Sequence, residues 1–453
     1  MMIRHTISPS WSLPHNDGQA ICLMPRLFLC FIFCFFLSPA VAQTVEDDEV
    51  DPEDEITVTN KSGKQEVIEF PEAMTYDLDS LLNLYMSKSY LDADDCNYKD
   101  VNPEYSREEY IDRLSRMPTI MEMAYNDVVQ KFIDRYSGRL RHSISYMLGA
   151  SNFYMPIFED ALEKYQLPLE LKYLPIIESA LNPKAVSRVG AAGLWQFMPA
   201  TGRQYGLKLN SLVDERRDPL KSSDAAARYL RDLFKIFGDW NLVIAAYNCG
   251  PENINKAIRR ANNVASLKGP DGEPVPVVKD YWHIYPYLPR ETRGYVPAFI
   301  AANYMMTYYS LHNICPMTTR LPAKTDTVMV SKNVHLEQVA AVMGLNIDQL
   351  RSLNPMYRRD VVPGSTEPQA IRLPLTETGR FIDLEDSIYT YRSGELLNKR
   401  LEVQVNDDTP TYYHKSKRYS RGKKRAAVRR KSATARRKGT ARKRRPAARR
   451  RRR

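Results

Sequence analysis

Between about residues 152 and 311 the apolar residues recur at helical spacing and no run alternates convincingly with period two. That pattern restricts this block to an all-α fold. Residues 220–237 illustrate it, with Ala226, Leu230, Leu233, Phe234 and Phe237 on one face of an amphipathic helix. Residues 240–247 are short and mostly apolar, which predicts a buried helix, and 290–309 form another long helical pattern with little charge after Arg293. Helical spacing also runs through 71–150, as in Ile120, Met121, Tyr125, Val128, Val129 and Phe132, and predicts a helical lead-in. Beyond this block the pattern changes. Val328-Met329-Val330, two short helical patterns (336–343 and 347–353) and a second β-type run (370–373) predict a small βααβ unit over 325–376. The expected fold class is therefore mainly α, with one small mixed module.

The ends of the chain set its address. Met24-Pro25-Arg26, an apolar run over 27–37 and the small-residue exit Ala40-Val41-Ala42 predict a cleaved signal peptide over 1–42, with Met24 a candidate start. The run is too short to span a bilayer comfortably as a helix, which needs ~20 apolar residues. An acidic linker is expected over 43–70, around EDDEVDPEDE, and a weakly patterned linker over 377–414. Residues 415–453 hold 22 Lys or Arg and no acid, a disordered polybasic tail by composition. Of 65 basic residues, 43 remain to set against 54 acidic ones, so the body of the protein is acidic and the overall +11 belongs to the tail. Such a tail suits anionic envelope polymers or lipid headgroups. Nucleic acid is disfavoured by the export signal and by the lack of interleaved aromatics beyond Tyr419. After the signal, Cys96, Cys249 and Cys315 allow one disulfide at most, and neither they nor the seven His show metal-ligand spacing; no metal and no cofactor is expected.

The chemistry concentrates around Glu178. Leu174, Pro175, Ile176 and Ile177 surround it, and it is the one carboxylate near the end of an otherwise apolar helix pattern. Desolvation there favours the neutral acid. The competing reading is a carboxylate that caps a helix or pairs with Arg188. Gly190 and Gly193 allow close backbone approach. Ser187, Gln196, Tyr247 and Asn248 carry groups able to hydrogen-bond sugar hydroxyls and acetamides, and Trp195 and Tyr205 offer flat faces, although a tryptophan there also fits a core role. Other carboxylates fit other tasks. Asp214, Glu215 and Asp218 read as a solvated, ion-paired loop, Asp239 as a helix cap, and Glu291 as a helix start.

Taken together, ESALNP (178–183), Ser187, GAAGLWQFMP (190–199), Thr201-Gly202, AAYNCG (245–250) and ETRGYV (291–296) resemble the soluble-type lytic transglycosylase family, related to goose-type lysozymes. The resemblance covers about 150–310. It implies a lysozyme-like helical domain over 151–315, a peptidoglycan glycan strand as substrate, and Glu178 as the lone catalytic acid/base. It further implies Ser187, Gln196, Tyr247 and Asn248 in the saccharide groove and Tyr295 beside Glu178. A small residue usually stands where Cys249 is, and a disulfide there would stiffen the groove. The 325–376 unit resembles a LysM module, with Asn333-Val-His-Leu336 replacing the usual Gly-Asp-Thr-Leu start; glycan binding and a purely structural role are both open.

Most glycosidases use two carboxylates. With one, the substrate must supply the nucleophile. The muramic acid O6 hydroxyl attacks its own C1 and closes a 1,6-anhydro ring, an intramolecular step with high effective molarity. The expected activity is non-hydrolytic cleavage between N-acetylmuramic acid and N-acetylglucosamine by an exported, periplasmic or envelope enzyme. The alternatives are a hydrolytic muramidase and a catalytically silent peptidoglycan-binding protein.

Overall fold

The computed structural model describes residues 56–59, 63–71, 74, 86–90 (backbone) and 101–397. The expected signal peptide, the acidic run of the linker and the basic tail lie outside the described residues. What is described is mainly helical, with four two-stranded antiparallel pairs.

The chain enters through β1 (Ile56–Thr59) and β2 (Gln65–Ile68), a hairpin with Ile56 paired to Ile68. Residues 56–68 were expected to be linker. Within that segment 56–59 and 65–68 form strands because Ile56 and Ile68 bury themselves in the main core, and so few apolar residues in an acidic setting leave little periodicity to read. β3 (Met86–Tyr90) follows. Helices α1 (Arg107–Ser115) and α2 (Asp127–Ser137) lie in the expected lead-in, and α3 (Arg141–Lys164) runs without a break across the boundary expected at 150/151. Ser106 and Glu109 form a capping box on α1, and Asn126 caps α2, satisfying amides that the first turn leaves unpaired.

Six further helices and a seventh long one complete the domain: α4 (Leu174–Ser179), α5 (Pro199–Gln204), α6 (Pro219–Phe237), α7 (Trp240–Cys249), α8 (Pro251–Ala261), α9 (Tyr281–Ile284) and α10 (Arg290–Tyr308). Asp218 and Asp239 cap α6 and α7 by accepting from backbone amides. α10 is buried nearly all round and packs on α2, α4 and α7. Gly294 lets it approach the hairpin, since a Cβ there would lie 2.5 Å from the Glu69 carbonyl. Arg293 adds an ion pair to Glu66 at 2.7 Å.

After β4 (Met317–Thr319), which pairs with β3, the chain forms β5 (Thr325–Val330), β6 (Asn333–His335), α11 (Leu336–Met343), α12 (Ile347–Leu353), β7 (Val361–Pro363) and β8 (Gln369–Pro374). β5 pairs with β8 and β6 with β7, so two short strands join the expected βααβ pattern. The module does not stop at 376. α13 (Thr378–Asp383), α14 (Glu385–Thr390) and α15 (Ser393–Leu396) occupy the segment expected to be linker, and Phe381 and Ile388 are buried in the module's own core. Gln338, fully buried, donates to the carbonyls of Ile388 and Tyr391 and fastens this extension. Among the described residues no helix is long and apolar enough to cross a membrane.

Candidate active site

α4 is six residues long and ends abruptly, with Ala180 and Leu181 both in the left-handed region at φ 49° and 58°. Non-glycine residues adopt that conformation at a cost, so the surrounding structure must hold them. Ser179 does part of this by donating from one hydroxyl toward the carbonyls of Pro175 (3.0 Å) and Leu194 (2.9 Å), joining the end of α4 to the glycine loop. Glu178 thereby stands at a rigid helix end among the buried Leu174, Pro175, Ile176 and Ile177, while itself remaining partly accessible.

Burial raises the Glu178 carboxyl to about 8, partly offset by a hydrogen bond donated by Tyr295 from α10. Among the described residues no cation stabilises its charged form, so the Arg188 pairing weighed from sequence is not what holds it. Tyr247 sits in the same electrostatic environment. Its phenol is pushed well above the ordinary tyrosine value by burial and then by Glu178, and its hydroxyl donates to the Trp195 carbonyl at 2.7 Å. The structure thus brings Glu178, Tyr295 and Tyr247 together. Asn248 follows on α7 and accepts from the Thr292 hydroxyl at 2.9 Å, which ties the AAYNCG and ETRGYV motifs to each other.

Ser187 and Gln196 belong to the loop between α4 and α5. The Ser187 hydroxyl oxygen accepts from the Ala191 amide at 3.0 Å and shapes the turn at Gly190. Gln196 has φ 44°, and its side-chain amide donates to the Gly193 carbonyl at 2.8 Å. Short bridges Val186–Ala192 and Ala192–Phe197 turn the loop into a compact three-ply fold. Trp195 is no stacking platform: it is fully buried and its indole donates to Ser223 at 2.9 Å. Cys249 is a free, half-buried thiol, so no disulfide stiffens the groove there. Cys315 is disulfide-bonded.

The run VDERRDP departs from its expected solvated state. Asp214, Glu215, Arg216 and Asp218 are all buried. Arg216 grips both Asp214 oxygens at 2.9 and 2.8 Å and donates to the carbonyls of Gly190 (2.8 Å) and Phe197 (2.9 Å). Gly193 has φ +88° and lies so close to this segment that a Cβ would sit 1.8 Å from the Arg216 carbonyl. Arg216 therefore clamps the glycine loop, a role that a dense charge run conceals in sequence; the spacing of an Asp two residues before an Arg was the available signal. Glu291 is exposed in the first turn of α10, and Asp239 is engaged as a cap.

With this geometry in view, known proteins give a consistent comparison. Residues 155–268 match the family described as Transglycosylase SLT domain, and 324–390 match the family described as Lytic transglycosylase MltD, LysM-like domain. Membrane-bound lytic murein transglycosylase D of Escherichia coli is 32% identical over 278 residues, 56% of this chain and 58% of that protein. The chain thus spans little more than half the length of that relative. A putative tributyltin chloride resistance protein of Alteromonas sp. is 39% identical over 106 residues, 23% of this chain and 51% of its own. The solved 70 kDa soluble lytic transglycosylase of Escherichia coli aligns over 36% of this chain and 25% of its own at 24% identity, with a TM-score of 0.28. Two segments of this chain thus match family models in order, a transglycosylase SLT domain first and then a LysM-like domain of the kind described for lytic transglycosylase MltD.

Proposed function

We propose that this chain is an exported peptidoglycan lytic transglycosylase that cleaves the bond between N-acetylmuramic acid and N-acetylglucosamine without water, using Glu178 alone as acid and base. The observation that carries this reading is the state of Glu178. It is partly accessible, unpaired with any cation among the described residues, and carries a pKa raised to about 8, so at neutral pH it holds the proton a leaving glycosidic oxygen needs.

Glu178 donates that proton as the glycosidic bond breaks. Its carboxylate then takes the proton from the muramic acid O6 as O6 closes on C1, and the acid is regenerated. Tyr295 orients the carboxyl through its hydrogen bond. The intramolecular contacts of the other residues leave specific groups for sugar. Asn248 keeps its amide N–H groups because only its oxygen is engaged, Gln196 keeps its carbonyl oxygen, Tyr247 can accept, and Ser187 can donate. A one-carboxylate scheme is favoured because four of the other acids weighed are committed, Asp214 to Arg216, Glu215 to Lys221, and Asp218 and Asp239 to helix caps, while Glu291 is exposed at the start of α10.

Purified murein digested with the full chain should yield 1,6-anhydro-muramic acid ends by mass spectrometry. Ends bearing one added water would establish a hydrolytic muramidase instead, and undigested murein that co-sediments with the protein would establish a silent binder. The basic tail would add attachment to anionic envelope polymers or lipid headgroups; deleting 415–453 should then reduce envelope binding at low salt and have little effect at high salt.

A further inference from the structure

The segment between Lys208 and Glu215 is a tight turn, with Leu209 bridged to Asp214 and the Asn210 side chain accepting from the amides of Leu212 and Val213. Its tip leaves the transglycosylase domain's core. Leu212 and Val213 are buried instead in the core of the LysM-like module, with Met356 and Tyr357. The backbones join as well: Asp214 donates its amide to the Met356 carbonyl at 3.0 Å, Arg358 donates to the Leu212 carbonyl at 2.9 Å, and Val213 bridges Tyr357. At the rim Lys208 and Glu367 form an ion pair at 2.6 Å.

What makes this junction more than a domain contact is the next residue along. Asp214, held by the module through its amide, is the carboxylate that grips Arg216, and Arg216 holds the Gly190 and Phe197 carbonyls. The loop between those two carbonyls offers Leu194 to Ser179, the neighbour of Glu178, and Trp195 to Tyr247. Each link is a hydrogen bond between buried or half-buried groups, where an unmade bond is costly and alternative geometries are few.

We infer that the LysM-like module buttresses the catalytic loop: by completing the 212–214 turn it fixes Arg216, and through Arg216 it sets the geometry of residues 190–197 beside Glu178. This makes Arg216 and the 212–214 turn positioning elements and gives the module an intramolecular task separate from any glycan affinity. The activity part of the inference rests on the proposed function; the structural coupling does not.

The test uses full-chain variants and hydrogen exchange of residues 187–197. Lys208→Glu opposes Glu367 across an exposed rim and leaves every core intact, and adding Glu367→Lys restores the pair with its charges exchanged. Lys208→Glu should raise loop exchange two- to threefold, and the double variant should return it to the wild-type rate. Leu212→Asp is the stronger break and should speed loop exchange at least tenfold while α6, α10 and α11 stay protected. On murein, Leu212→Asp should lower kcat about tenfold with KM changed less than twofold, and in an Arg216→Lys background it should add little. Unchanged loop exchange in a folded Leu212→Asp variant, or no rescue by the charge swap, overturns the inference. A raised KM with an unaltered loop would assign the module to glycan binding instead. If the wild type cleaves no murein, the proposed function fails, while loop exchange still decides the coupling.

Discussion

Glu178 and Asp214 are two carboxylates within one domain, the first partly accessible and the second buried, and their proton affinities shift in opposite directions. Burial pushes both toward the neutral acid. At Glu178 only a tyrosine hydroxyl opposes it, and the pKa settles at about 8. At Asp214 hydrogen bonds and charge from Arg216, then Arg217, overcome the burial and hold the carboxyl below the usual carboxylate range. Desolvation alone therefore does not set the protonation state; whether a guanidinium stands beside the carboxyl decides it. The paired acid, through Arg216, holds the Gly190 and Phe197 carbonyls of the loop beside the other.

The largest expected effect comes from the unpaired acid. Glu178→Gln should lower murein cleavage by at least ~10³-fold in a quantitative digest with circular dichroism unchanged, since a positioned acid/base alone contributes roughly 10²–10⁴-fold. If substantial activity survives, the contrast between the two carboxylates has no functional meaning. Next, Arg216→Met leaves Asp214 buried without its bidentate partner and should cost about 3–5 kcal/mol in urea unfolding.

The pH dependence separates the two sites by sign. With the Glu178 pKa raised to about 8, kcat/KM should be flat below that value and fall tenfold per pH unit above it. Tyr295 lowers that pKa, so Tyr295→Phe should move the break upward and reduce the rate roughly tenfold, read from the same profile. Stability follows linkage. The folded state keeps a proton on Glu178 that the unfolded chain releases above about 4.5, so Glu178 lowers stability progressively as pH rises from 4.5 to about 8. Glu178→Gln should therefore raise the Tm relative to wild type across that window, by roughly 2–4 °C for each kcal/mol relieved, with a constant difference above it. For Asp214 the sign reverses: its contribution is complete above the normal Asp value of 3.8 and is lost only as pH falls below it. The smallest effect is at a cap outside both sites: Asp239→Ala should cost about 1 kcal/mol through the lost acceptor for the Leu242 amide, with cleavage unchanged.

Much of this was legible in the residues. Helical periodicity gave the long helices because each buries one continuous face, and Glu178 stood out because α4 is apolar on every side. Other features were hidden for physical reasons. The β1–β2 hairpin has too few apolar residues for a period. Helices α13–α15 gain their stability from packing on the module, through Phe381, Ile388 and Gln338, more than from their own pattern. Trp195 looked suited to a sugar, yet the indole N–H found Ser223 inside the core. The VDERRDP run looked solvated because composition counts charges and cannot tell paired from free.

By itself the sequence determined which side chains carry reactive groups, where the strongly periodic helices lie, and that one glutamate would sit among apolar neighbours, because these depend on local spacing and hydrophobic burial. Tertiary structure decided that no cation among the described residues reaches Glu178, that Tyr295, 117 residues away, does, and that Arg216 closes on two carbonyls of a loop nineteen and twenty-six residues distant. Electrostatic and hydrogen-bond energies fall off over a few ångströms of space, and distance along the chain does not report distance in space.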